Sequence, residues 1–261
     1  MILTDTHSHL YSEKFDGDRE NAMNRAFGEG VQRIFLPAID TETHSNLIAL
    51  ADAYPSNCFA MMGLHPCSVD ASTIENEIAA IEDWHSKRKF VAVGEIGIDL
   101  YWDKTQLDLQ QKIFARQIDL AKKLKLPIII HSRNAFKECY EIVKAKKREV
   151  DGENLKGIFH CFSDGIEEAK KVIELGGFMM GIGGVLTFKN SGIDKVVNQF
   201  GMENFVLETD APYLAPVPYR GKRNESSYLV HIAKKIAEIK KCSVEKIAEI
   251  TTENSRTIFG I

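Results

Sequence analysis

The segment TDTHSHLY, residues 4–11, decides how the rest of the chain is read. It sets Asp5, His7 and His9 directly behind the short apolar start Met1-Ile2-Leu3. A titratable cluster in that position is not a core. If residues 2–5 form a first strand, the cluster lies at one rim of whatever sheet follows. Later strands ending in similar side chains would share that rim. His7 and His9 are two apart, so on extended backbone both imidazoles point to one face.

Short apolar runs recur downstream: VQRIFLPA from 31, CFAMMGLHP from 58, FVAVGEIG from 90, LPIIIHS from 126, GIFHCF from 157, GFMMGIGG from 177 and NFVLETD from 204. Their hydrophobicity is continuous rather than alternating, which implies strands covered on both faces, as in a parallel sheet. Helical patterns lie between them. In residues 106–124, Leu107, Phe114, Ile118, Ala121 and Leu124 recur at threes and fours, and Ile74, Ile78 and Ile81 do the same. Leu229, Ile232, Ala233 and Ile236 form a further stripe. With residues 2–5 the count is about eight strands separated by helices, which predicts a single α/β (β/α)8 TIM-type barrel over residues 1–261. A doubly wound open sheet is the alternative, but no Gly-rich phosphate loop follows the first strand.

The strand ends carry the chemistry. The fourth run ends in Glu95, the fifth in His131, the sixth in His160, and the eighth in Glu208 and Asp210. At C-terminal strand tips these groups converge on the mouth where barrel active sites sit. So many imidazoles and carboxylates in one place need something to hold them. Mixed nitrogen and oxygen donors suit Zn, Mn, Fe, Co or Ni better than Mg alone. Six candidate ligands exceed what one tetrahedral ion uses, whereas two divalent ions ~3.5–4 Å apart, bridged by one carboxylate, account for them. Period two sends Cys161 to the opposite strand face from His160, as packing. His44, His85 and His231 read as ordinary hydrogen-bonded or solvated histidines.

The 261 residues are 44% hydrophobic and 27% charged, enough for a substantial core. The formal net charge of −4 argues against a protein that holds nucleic acid by bulk phosphate neutralisation, so any such grip must be local. Five scattered cysteines without a C-x-x-C pair read as thiols in a reducing compartment, the cytoplasm. No signal peptide and no membrane span of ~20 apolar residues is expected. No obligate protein partner is evident, and a monomer is the expectation.

The motifs TDTHSHL, GLHP, VAVGEIGID, IIIHSR, HCFS, GIGGVLTFK, ETDAPYLAP and RGKRNE occur in that order. In them the chain resembles the TatD family of metal-dependent deoxyribonucleases, within the amidohydrolase-like barrel superfamily, from about residue 3 to the closing TTENSRTIF. The resemblance implies that His7, His9, Glu95 and Asp210 bind one metal, and that Glu95, as the bridge, binds the second with His131 and His160. It implies a deoxyribonuclease, an exonuclease preferring single-stranded DNA, with water activated by two metals as nucleophile. In that scheme Asp210 accepts the proton, Glu208 orients a ligand, and His65 and Arg133 contact phosphate. Arg220, Lys222 and Arg223 form a cationic loop patch. Tyr101, Trp102, Phe162 and Tyr213 offer aromatic faces in the rim loops, for stacking or for loop packing. Asp164 and Ser226 depart from the family pattern, at positions expected to touch loops rather than the metal chemistry. Two rival functions are a hydrolase of a small amide, ester or lactone, and a non-catalytic metal-bound binding module.

Overall fold

A computed structural model describes residues 1–261. Strands and helices alternate along the chain. They run β1 (Leu3–Asp5), α1 (Arg19–Gly28), β2 (Val31–Leu36), α2 (Thr41–Ala53), β3 (Cys58–Ala60), α3 (Ile74–Lys87), β4 (Val93–Asp99), α4 (Leu107–Leu124) and β5 (Ile128–Arg133). The second half continues with α5 (Phe136–Arg148), β6 (Gly157–Phe159), α6 (Ile166–Glu174), β7 (Phe178–Ile182), α7 (Ile193–Gln199), β8 (Phe205–Leu207), α8 (Leu229–Lys240) and α9 (Val244–Phe259). No helix is long and apolar enough to cross a membrane.

All strand pairs are parallel, in two hydrogen-bonded runs, β1-β2-β3 and β4 through β8. Backbone bonds outside the named strands join the runs. Val91 N donates to Ala60 O and Met62 N to Ala92 O between β3 and β4. Thr6 N donates to Leu207 O, and Ser8 bridges Ala211, between β8 and β1. The architecture is the expected (β/α)8 barrel, and the seams are irregular because chain beyond the short β1, β3 and β8 makes them.

Two layers of packing follow from strand periodicity. A large core fills the space between barrel and helices. Inside the barrel sits a smaller cluster of Phe35, Met61, Ala92, Ile129, Ile158 and Val206, one side chain from each of six staves. Ile258 and Phe259 of α9 complete it, with the Phe259 ring stacked on Phe35 at 3.9 Å. The C-terminal helix therefore plugs the end of the barrel opposite the mouth. Two residues beyond Ile129, Ile158 and Val206 come His131, His160 and Glu208. The period of two that buries the apolar layer also aims the next layer into the mouth.

Glu95 is not at a strand tip. It is the third residue of β4, which runs on to Asp99. The register of β4 against β5 shifts between Val93 and Ile96, and such an irregularity re-aims side chains. At Gly97, where φ is +149°, a Cβ would lie 1.9 Å from the His131 carbonyl oxygen, so no side chain fits between these two strands.

Candidate active site

The structure brings His7, His9, Glu95, His131, His160 and Asp210 together around one buried carboxylate. Glu95 divides its oxygens between two groups. Oε2 lies 3.1 Å from His7 Nε2 and 3.6 Å from His9 Nε2, while Oε1 lies 2.8 Å from His131 Nδ1 and 3.3 Å from His160 Nε2. Asp210 Oδ1 is 3.5 Å from His9 Nε2 and 3.8 Å from His7 Nε2. Asp210 has φ of +57°, a conformation costly for a non-glycine residue and one that concentrates at functional sites.

The far nitrogens of three histidines are held by acceptors. His160 Nδ1 lies 3.1 Å from Glu208 Oε1, and His131 Nε2 lies 3.0 Å from Asp99 Oδ2. His9 Nδ1 is 2.8 Å from the Tyr11 hydroxyl, which donates to the Pro37 carbonyl at 2.6 Å and so accepts from His9. A proton held on each far nitrogen leaves the inward nitrogen with a free lone pair, the arrangement metal-ligating histidines adopt. His65 is the reverse case. Its Nδ1 accepts from Cys67 N at 3.0 Å, so the neutral ring turns an N–H toward His131 and Glu95.

The electrostatics favour divalent metal at this arrangement. Burial opposes ionisation of Glu95, but His7, His160 and His65 outweigh it and hold its carboxyl well below the usual range. Burial also opposes charge on His160, yet Glu208 and Glu95 push its value well up. Burial and the neighbouring His160 lower His7. The His7 and His160 rings stack at 3.6 Å, and the Nε2 atoms of His7 and His9 face each other at 3.2 Å. His7 Nδ1 is buried with no partner. Imidazoles so close cannot all be cations, and His9, His131 and His160, with their protons held on the far nitrogens, turn lone pairs toward the Glu95 carboxylate. Divalent metal fits this donor set. Two groups have ligand atoms within 4.8 Å of one another, His7, His9 and Glu95, and His7, His160 and Asp210; His65 lies as near Glu95 and His131 but turns its N–H to them.

Asp99, Tyr11, Gln110 and Gln117 escape the sequence reading, which notes Asp5 and Ser226 but gives them no role in the centre. Asp99 ends β4, four residues past Glu95 and on the same strand face, a period-two signal that was available. Burial opposes its charge, but His131 and the amides of Tyr101 and Trp102 lower its carboxyl to about 2. Asp5 is buried and accepts from Thr209 N at 2.9 Å, Thr209 Oγ1 at 2.6 Å and Ser226 Oγ at 2.6 Å. Even so, burial pushes Asp5 up to about 7. Ser226 is thus a buried post beneath the β1 and β8 tips rather than a loop variation, and only long-range packing reveals that. Tyr11, Gln110 and Gln117 carried no recognisable signal. Gln117 brackets the backbone of Leu64, next to His65, and Gln110 brackets that of Asp99.

Other expectations are corrected. The chain leaves extended geometry after Phe159, and Cys161 has φ of +47°, so period two no longer applies and the residue lines the mouth. Its backbone N–H donates to Glu208 Oε1 at 2.5 Å. Phe162 is buried against Phe136 and is not a rim face. His44 is buried on α2. A mouth cavity of about 610 Å³ is lined by His9, His65, Glu95, His131, Arg133 and Asp210 among others. Arg220 lies over the Phe188 ring at 3.8 Å, and Lys222 lines a separate depression. Arg223 is taken up by Asp18, with contacts of 2.6 and 2.8 Å, so the loop cations do not form one patch at the mouth.

A parallel barrel with a histidine–carboxylate centre at its C-terminal mouth defines the class, a metal-dependent barrel enzyme. Within that class the chain belongs to the TatD related DNase family, which matches residues 4–260. It is 40% identical to YabD of Bacillus subtilis, an uncharacterized metal-dependent hydrolase, over the whole of both chains. It superposes with a TM-score of 0.88 on the crystal structure of YjjV, the TatD homolog of Escherichia coli, at 30% identity and over 99% and 98% of the two chains. A TatD family hydrolase of Entamoeba histolytica shares the fold, with a TM-score of 0.86 at 21% identity over 99% and 98% of the chains.

Proposed function

We propose that the protein hydrolyses DNA phosphodiester bonds as an exonuclease preferring single strands, acting as one catalytic domain over residues 1–261. The observation that carries the reading is Glu95, whose two oxygens serve two separate sets of histidines. Such a carboxylate would be able to serve two cations at once. His7, His9, Asp210 and Glu95 would hold one ion, and Glu95, His131 and His160 the other, drawn from Zn, Mn, Mg, Fe, Co or Ni. Bound divalent cations would supply charge on the phosphoryl oxygens and a lowered pKa for water.

The chain's own groups do the rest. Asp210 faces the mouth with one carboxylate oxygen and accepts a proton from the attacking water. His65 directs its Nε2–H at the space beside Glu95, where it can donate to a phosphoryl oxygen. Arg133 has no carboxylate partner and stands at the rim to receive a neighbouring phosphate. Asp99, Glu208 and Tyr11 fix the histidine tautomers. The family match supports DNA as the polymer, and five free thiols support a reducing compartment such as the cytoplasm.

The test is hydrolysis of end-labelled single-stranded DNA by metal-stripped protein, before and after adding Mg, Mn or Zn, with Glu95→Ala as control. Cleavage should return with metal and be absent from the variant, and the product ladder should shorten from one end. Metal-loaded protein that leaves DNA intact would refute the nuclease reading and turn attention to small amides, esters and lactones.

A further inference from the structure

We propose that Trp102 and Tyr213 are opposed stacking platforms for unpaired bases, one on each side of the catalytic centre, each with a cation beside it for the adjoining phosphate. The proposal rests on the nuclease reading and narrows its substrate to strands whose base faces are free. Trp102 is 72% exposed and Tyr213 45%, yet both line the cavity that contains Glu95. Phe162, by contrast, is buried, and the exposed Tyr101 does not line the cavity.

Topology sets the two faces against each other. Trp102 follows β4 and Tyr213 follows β8, and in a ring of eight strands these staves are diametrically opposed. Their loops therefore face one another across the mouth, with Glu95 between them. Each aromatic has its cation. The Arg133 guanidinium lies over the Tyr101 ring at 3.7 Å and over that of Trp102 at 5.6 Å, and Lys14 Nζ lies over one face of the Tyr213 ring at 4.5 Å. The Tyr101 ring meets Trp102 edge to face at 4.9 Å, which steadies the indole. Neither Arg133 nor Lys14 has a carboxylate within 4.0 Å, whereas Arg25, Arg88 and Arg223 are all ion-paired. In a chain of net charge −4, unpaired cations beside exposed rings at one mouth offer a local grip on a polyanion. Exposed rings accept bases of any sequence, since every base has a π-face, but a duplex keeps those faces stacked on each other.

The experiment compares the parent protein with Trp102→Ala, Tyr213→Ala and Trp102→Phe, all metal-loaded. Two readouts are taken: the ratio of kcat/KM for a single-stranded oligonucleotide over that for bis(p-nitrophenyl) phosphate, and the anisotropy-measured Kd of a labelled phosphorothioate single strand. Each alanine variant should lower the ratio and weaken Kd about ten-fold or more, the loss expected for one base–aromatic stack. Trp102→Phe should recover most of the loss because a π-face remains. If the parent cleaves DNA but the alanine variants keep both readouts within two-fold, the stacking proposal is overturned and the nuclease reading stands. A parent that hydrolyses the small diester but neither binds nor cleaves the oligonucleotide overturns the nuclease reading, and the platforms with it.

Discussion

Gly181→Ala, a change of one methyl group on β7, is expected to disable the centre from outside the ligand set. A Cβ at Gly181 would lie 2.0 Å from Glu208 Oε2 and 2.6 Å from its Cδ, and contacts under 3.0 Å are essentially never seen for real Cβ atoms. The carboxylate must therefore retreat by about an ångström. Its Oε1 holds His160 Nδ1 at 3.1 Å, buried, and Cys161 N at 2.5 Å, partly buried, so the retreat breaks or stretches two charge-assisted bonds. At about 1.5–3 kcal/mol for each such bond, with partial relaxation, the variant should lose about 2–5 kcal/mol of stability. Metal affinity should fall about 10- to 100-fold, as when a ligating histidine loses its orienting partner. Urea denaturation and calorimetric metal titration measure the two effects. The decisive control is Gly181→Ala in a Glu208→Ala background. The three closest atoms to the new methyl all belong to Glu208, so in that background the substitution should cost less than about 1 kcal/mol. Additive losses, or a Gly181→Ala protein with parental metal affinity, would refute the reasoning.

Further outcomes are expected elsewhere. Tyr11→Phe leaves the His9 Nδ1–H without its buried acceptor; metal affinity should drop about ten-fold or more in a titration, and stability by about 1–2 kcal/mol. Asp164 is raised to about 6 by burial and by the nearby Glu168, so the folded state disfavours its charge. Stability is therefore lost as pH rises from its ordinary value of 3.8 through about 6, and Asp164→Asn should raise Tm at pH 7.5 but not below about pH 4. An unchanged difference between the two pH values, followed by thermal melts, would contradict that burial argument. Arg223→Ala should cost about 1 kcal/mol through the lost Asp18 pair and leave the salt dependence of DNA binding unaltered; a flatter salt slope would show that Arg223 meets phosphate after all.

The strand-end rule made most of the centre legible before any coordinates. His7, His131 and His160 lie where a period-two reading puts them, because a strand buried on both faces leaves its next inward position at the open end. The same rule misled at Glu95 and Cys161. A register shift inside β4 lets a residue short of the tip point into the mouth, and a left-handed turn after β6 returns Cys161 to it. Both are backbone irregularities without a hydrophobic signature. The cationic loop was misread for another reason: composition lists charges but not partners, and Asp18, 205 residues away from Arg223, claims it.

The sequence alone determined the barrel, through eight apolar runs of strand length, and the donor types at its mouth, through the residues that end those runs. Only the tertiary structure decided how the donors are used. Which histidine nitrogen faces inward depends on Asp99, Glu208 and Tyr11. Which oxygen of Glu95 serves which pair depends on strand neighbours far apart in the chain. Ser226 matters because it meets Asp5 across 221 positions. Periodicity is a local property that a chain carries in its residue order. Tautomer, partner and orientation arise from hydrogen bonds between distant segments, which exist only once the barrel has closed.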